Sequence, residues 1–340
     1  MRKKQYLCGR NLNTMKLMEN SKPIVALIYD FDGTLAPGNM QEYDFLKEIG
    51  VTDKAEFWRE NNELSKTQNA SEILCCMKMM IDKSNNPERP CSITKQTFAK
   101  YGESIPLFKG VREWFALTRQ LGEKMGLQIE HYINSSGLQE MIEGSPIAHE
   151  FKHIYASRFM YDESGKAVWP AVSIDFTSKI QILYMINKGV EKISDNKEIN
   201  NYMAASDRRI PFDHMIYFGD GLTDIPSMKL LRSQGGFAIA IYTPEHEEQT
   251  IDLVERNIIN FACKADYSKD EALYNTVKAI FEHIKALDNF NELEITNMEE
   301  AKSGILTADH SEPEAEVAQQ SRWKRHHKVH FNFFSGFLHE

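Results

Sequence analysis

The stretch Ile24-Val25-Ala26-Leu27-Ile28-Tyr29-Asp30-Phe31-Asp32-Gly33-Thr34-Leu35 decides how the rest of the chain is read. Six consecutive apolar residues, β-branched types among them, fit a strand covered on both faces, as in a parallel sheet flanked by helices. In such sheets ligands bind beyond the carboxyl ends of the strands. Asp30 and Asp32 stand where this strand gives way to a turn, and their i, i+2 spacing in extended chain aims both side chains the same way. Gly33 permits a tight turn and a close approach of backbone to ligand, which makes it a candidate substrate-binding position.

Alone, Asp-x-Asp-Gly is weak, because Asp and Gly are ordinary turn residues. Partners follow it in a fixed order. Tyr132-Ile133-Asn134-Ser135-Ser136-Gly137 reads as a second strand ending in hydroxyls. Thr177-Ser178-Lys179 opens a helix whose apolar positions continue through Ile180, Leu183 and Ile186. A third strand, Met215-Ile216-Tyr217-Phe218, runs into Gly219-Asp220-Gly221-Leu222-Thr223-Asp224. Singly, Lys179 reads as a surface lysine and Asp220-Gly221 as a turn; together, at element ends, they read as one catalytic site. This combination resembles the haloacid dehalogenase-like hydrolase superfamily over about residues 24 to 285. Within it the chain looks most similar to the phosphoserine phosphatase-like branch with a helical cap.

The expected fold is α/β, a doubly wound Rossmann-like parallel sheet. Strands and helices alternate with long crossovers, and Phe237-Ala238-Ile239-Ala240-Ile241-Tyr242 supplies a further buried strand. Between Ile154 and Ile174, two β-like runs flank Asp162-Glu163-Ser164-Gly165, a hairpin signal. The expected division is an N-terminal extension over 1–22, a core formed by 23–36 and 105–286, a helical cap over 37–104, and a loosely ordered tail over 287–340. Candidate helices in the cap run from Tyr43 to Ile49, Ala55 to Ser65 and Ser71 to Ile81, and no convincing strand lies among them. By the resemblance, such a cap selects the substrate.

The resemblance implies a magnesium-dependent phosphatase acting on a small phosphomonoester through an aspartyl-phosphate. Asp30 is then the nucleophile and Asp32 the acid and base, a role that needs a carboxyl held protonated by ionised neighbours. Lys179 and Ser135 stabilise charge on the phosphoryl oxygens, and the Ser136 amide adds a hydrogen bond. The implied ligands of Mg2+ are the Asp30 carboxylate, the Asp32 backbone carbonyl and Asp220, while Asp224 holds a metal-bound water or Lys179. All-oxygen ligation without His or Cys suits that ion. A phosphotransferase or phosphomutase would use the same intermediate, and a non-catalytic binding protein on this fold is the alternative of another class. Dehalogenation would leave Asp32 idle, because a halide leaving group needs no acid.

A chain of 340 residues with 42% hydrophobic content has the size of a soluble enzyme with one core domain and an insertion. Its formal net charge of -9 argues against general affinity for nucleic acid. No apolar run approaches the roughly 20 residues of a membrane helix, and no secretory segment follows Met1-Arg2-Lys3-Lys4, so a cytoplasmic location is expected. The five cysteines form no CxxC pair, and Cys75 and Cys76 read as small buried residues beside the cap-core methionines Met77, Met79 and Met80. His131 and His214 read as packing residues. The segment from Arg322 to Phe337, basic and then aromatic, reads as a terminal tail. Oligomeric state is left open by the sequence.

Overall fold

The computed structural model describes residues 22–88 and 91–308. The expected basic-aromatic tail and nearly all of the expected N-terminal extension lie outside these residues. The chain divides into two compact units, the first ending at Lys285 and the second beginning at Ala286. Seven strands form one sheet in the first: β1 (Ile24–Tyr29), β2 (Gln128–Leu138), β3 (His153–Tyr161), β4 (Ala167–Val172), β5 (Met215–Gly219), β6 (Phe237–Tyr242) and β7 (Phe261–Lys264), in the spatial order β4-β3-β2-β1-β5-β6-β7. All neighbours pair in parallel except β3 and β4, which form the expected hairpin. The first arm of that hairpin is itself a core strand, and β4 is the antiparallel edge.

Chain order turns round at β1. Strands β2 to β4 build outward on one side of it and β5 to β7 on the other, so β1 and β5 are adjacent across a topological switch point. The apolar run of β1 is buried on both faces as the sequence suggests. Val25, Leu27 and Tyr29 join one core; Ala26 and Ile28 join the other.

The helices, in chain order, are α1 (Phe45–Glu48), α2 (Lys54–Gln68), α3 (Glu72–Ser84), α4 (Lys95–Glu103), α5 (Val111–Lys124), α6 (Gln139–Gly144), α7 (Phe176–Lys188), α8 (Asn196–Asn200), α9 (Ile225–Ser233), α10 (Glu247–Glu255) and α11 (Ala272–Ala308). Trp114, Phe115 and Leu121 of α5 face the first core, with Leu273, Val277 and Phe281 of α11. Ile182, Leu183 and Ile186 of α7 and Met228 and Leu231 of α9 face the second. Four helices, α1 to α4, fill the segment between β1 and α5. Helix α4, capped by Thr94, is the one the apolar pattern does not announce. Among the described residues no helix is long and apolar enough to cross a membrane.

Candidate active site

The turn after β1 is closed by its own backbone. Gly33 N–H donates to the Ala36 carbonyl at 2.7 Å, and Leu35 N–H to the Phe31 carbonyl at 2.9 Å. Asp30 N–H donates to Phe218 O of β5 at 2.9 Å, which locks the first acid against the neighbouring strand end. Gly33 has φ +71°, and a Cβ there would collide with the Asp220 carboxylate. Glycine is required at this position for two reasons: the left-handed backbone, and the acid pressed against it.

Lys179 is the centre of the arrangement. Its side chain is 0% exposed, and Nζ donates to Asp30 Oδ2 and Asp224 Oδ1, each at 2.6 Å. Helix α7 starts at the Asp175 cap, so Lys179 sits in the first turn, where the helix dipole disfavours a cation. Two carboxylates offset that cost. Burial pulls the Lys179 pKa down, but Asp224 and Asp30 outweigh it and the net shift is upward. Asn134 Nδ2, within β2, donates to Lys179 O at 2.9 Å and ties the helix start to the strand.

Asp224 is fully enclosed. Its Oδ1 also accepts from Tyr217 Oη at 2.7 Å, and its Oδ2 accepts from Gly221 N–H at 3.2 Å. Burial, with Asp224 beside it, holds the Tyr217 phenol well above its ordinary pKa, so it remains a donor. Asp32 Oδ1 accepts from Met40 N–H at 2.9 Å, and burial together with the charge of Asp30 raises its pKa well above 3.8. Asp30 is raised as well, chiefly by burial, with Lys179 pulling the other way. Asp220 keeps an exposed edge, yet desolvation and the charges of Asp224 and Asp30 push its pKa to about 8.

One cavity of about 630 Å3 is lined by Asp30, Asp32, Gly33, Ser135, Ser136 and Asp220 at its base. Lys179 and Asp224 lie behind that base. Ser135 is the last regularly paired residue of β2 before a register shift, and its Oγ accepts from Gly137 N–H at 3.1 Å. Ser136 Oγ has no hydrogen-bond partner.

One carboxylate oxygen from each of Asp30, Asp220 and Asp224 lies within 4.8 Å of the others. These are hard oxygen donors whose charge Lys179 offsets only in part, a set that fits a divalent cation such as Mg2+. The oxygens of Asp224 are held by Lys179, Tyr217 and Gly221 and those of Asp30 by Lys179 and the Phe31 N–H, so Asp220 is the least engaged of the three.

Sequence reasoning passed over Met40, Tyr217 and Asn134 as site residues. A tyrosine in the apolar strand β5 and an asparagine beside Ile133 in β2 are the signal for two of them, since a buried polar group needs a partner. Met40 acts through its backbone and carries no such mark. Helices α2 and α3 supply the far wall of the cavity, including Trp58, Met77 and Met80.

The family model of haloacid dehalogenase-like hydrolases matches residues 27–229, and the chain belongs to that family. An uncharacterized protein of Borreliella burgdorferi is 28% identical over 284 residues, which cover 76% of this chain and 97% of the relative. A substrate-bound phosphoserine phosphatase is similar in structure with a TM-score of 0.44 and 14% identity, over 69% of this chain and 99% of that one. Cytosolic 5'-nucleotidase IIIB bound to cytidine gives a TM-score of 0.41 and 16% identity, over 78% and 87%.

Proposed function

We propose that the protein is a magnesium-dependent phosphatase that hydrolyses a small phosphomonoester through an aspartyl-phosphate on Asp30. The observation that carries this reading is the buried Lys179 bridging Asp30 and Asp224 at 2.6 Å each, beside a second acid, Asp32, whose pKa burial and the charge of Asp30 raise well above 3.8.

Each group then has a task that its surroundings suit. Lys179 fixes the orientation of Asp30 and offers positive charge where phosphoryl oxygens gain negative charge. A carboxylate oxygen of Asp30 bonds to phosphorus as the ester P–O bond breaks, and Asp32 gives its proton to the departing alkoxide. In the second step water attacks the phosphorus of the aspartyl-phosphate and gives its proton to Asp32. The Asp30–phosphate bond breaks, inorganic phosphate leaves and both carboxyl groups are restored. Ser135 and the unpartnered hydroxyl of Ser136 are hydrogen-bond donors for the phosphoryl group. Mg2+, held by Asp30, Asp220 and the Asp32 main-chain carbonyl, would supply shielding between the nucleophile and an anionic ester. Asp224 keeps Lys179 charged and in place.

The purified protein should hydrolyse p-nitrophenyl phosphate in magnesium, and Asp30→Asn should lose turnover and acid-stable phosphoenzyme together while keeping wild-type circular dichroism. Undiminished turnover in Asp30→Asn would refute the mechanism. Turnover with phosphate passed to an added alcohol in place of water would instead mark a phosphotransferase.

A further inference from the structure

The loop between β7 and α11 is tied to the turn that follows β1. Tyr267 on this loop is wholly buried, and its Oη donates to the Thr34 carbonyl at 2.7 Å. Its ring stands edge-on to Trp114, with centroids 5.2 Å apart. Burial, with Tyr29 and Asp220 near it, holds the phenol well above its ordinary pKa, so it keeps its proton and remains a donor. The same loop grips the chain where it returns from helices α1 to α4. Tyr267 N–H donates to Lys109 O at 2.9 Å, and Phe108 N–H donates to Leu35 O at 2.9 Å. Gly110, at φ +79°, leaves no room for a Cβ against the backbone of Tyr267 and Ser268. The turn, the returning chain and the loop are thus closed into one ring of hydrogen bonds.

Asp220 meets this turn directly. A Cβ on Gly33 would lie 2.0 Å from Asp220 Oδ2, and Thr34 Oγ1 donates to Asp220 Oδ1 at 3.4 Å. Both contacts depend on where the turn sits. Asp220 is also the acid that other groups of the site engage least, so the turn has the larger share in placing it. Removing the Tyr267 hydroxyl would leave the Thr34 carbonyl in a buried turn without that donor, and such a group shifts to find another.

We propose that Tyr267 is a positioning residue for cation binding: it holds the Thr34 carbonyl, fixes the turn against Asp220, and acts on that carboxylate through Thr34. This rests on the reading of Asp30 and Asp220 as carboxylates that hold Mg2+.

The test measures Mg2+ affinity of the full-length protein without substrate, from the rise in Tm with Mg2+ concentration. Tyr267→Phe keeps the ring against Trp114 and removes one hydroxyl; it should weaken Mg2+ binding by about threefold to tenfold. Tyr155→Phe is the control, because Tyr155 Oη also donates to a main-chain carbonyl, Val190 O at 3.0 Å, but in the other core. It should lower Tm and leave Mg2+ affinity at the wild-type value. Thr34→Val should weaken binding as well, Thr34→Ser less, and Tyr267→Phe with Thr34→Val by less than the product of the two single effects. Wild-type affinity in Tyr267→Phe, or an equal weakening in Tyr155→Phe, overturns the positioning role. A full product in the double variant overturns the route through Thr34. If Tyr267→Phe does not fold, wild-type affinity in Thr34→Val overturns the proposal. No Mg2+-dependent rise in Tm of the wild-type protein overturns the reading of the cation site, and this inference with it.

Discussion

Replacing Lys179 by methionine removes the one cation between Asp30 and Asp224 and nearly preserves side-chain length. Nζ is wholly buried and donates to both carboxylates at 2.6 Å, so the variant leaves two acids in low dielectric without a counter-charge. Breaking a buried pair in this way costs about 3 to 5 kcal/mol, a large part of a typical total near 5 to 15 kcal/mol. With m about 2 to 3 kcal/mol per molar, the urea midpoint should fall by roughly 1 to 2.5 M. The loss should depend on pH. In the wild type the Lys179 pKa is raised above 10.5, so its contribution is complete below that value and disappears only as pH climbs through the higher folded one. In the variant, Asp30 loses the lysine that now lowers its pKa and rises further above 3.8. Stability that is present at low pH is then lost as pH rises through the folded pKa. Urea unfolding in chelator at pH 5 and pH 8 should therefore show the larger deficit at pH 8. Adding Asp224→Asn to Lys179→Met should restore part of the loss, since one stranded charge is gone. A deficit below about 1 kcal/mol at both pH values would show that the bridge does not hold the site together.

Asp32→Asn should still form phosphoenzyme from esters with good leaving groups but hydrolyse it slowly, so rapid-quench experiments should find it accumulating. Asp220, protonated near neutrality with a pKa of about 8, must release its proton to bind a cation; magnesium titrations in buffers of different ionisation enthalpy should show proton release at pH 7 that fades above pH 8. The same raised pKa means that the metal-free protein loses stability as pH rises from about 4 to about 8, so the gain in Tm from added Mg2+ should be larger at pH 8.5 than at pH 6. Gly33→Ala, at φ +71° with its Cβ against Asp220, should cost about 1 kcal/mol or more of stability and weaken magnesium binding; unchanged affinity would contradict the contact.

What was legible in the sequence follows the period of its patterns. An apolar run ending in acids marks both a doubly covered strand and the place where that strand meets solvent, but Asp30, Asp32 and Asp220 each read as turn residues alone and become site candidates through the order of the motifs. Lys179 was legible only through the order of the motifs, because nothing local separates a first-turn lysine that points inward from one that points outward. The burial of Asn134, Tyr217 and the Met40 amide was not legible. Each depends on which strand or turn packs beside it, and that neighbour is up to 45 residues away in the Asn134 to Lys179 contact. Helix α4 was missed for the reverse reason: its capping box is two threonines, Thr94 and Thr97, without the Glu or Gln that usually marks the motif.

The placement of charge also explains why the acids gather where they do. Asp30 leaves β1 and Asp220 leaves β5, adjacent strands at the switch point, and the helices after the two turns do not cross between them. There carboxylate oxygens of Asp30, Asp220 and Asp224 come within 4.8 Å of one another. Desolvation, with the charges of Asp224 and Asp30, raises the Asp220 pKa to about 8. A single buried lysine serves Asp30 and Asp224 and leaves Asp220 and Asp32 without a direct partner cation. In the proposed mechanism Asp32 carries the proton and Asp220, which keeps an edge toward the cavity, holds the metal ion; the first is partly buried and hydrogen-bonded by the Met40 amide, while the second stays open.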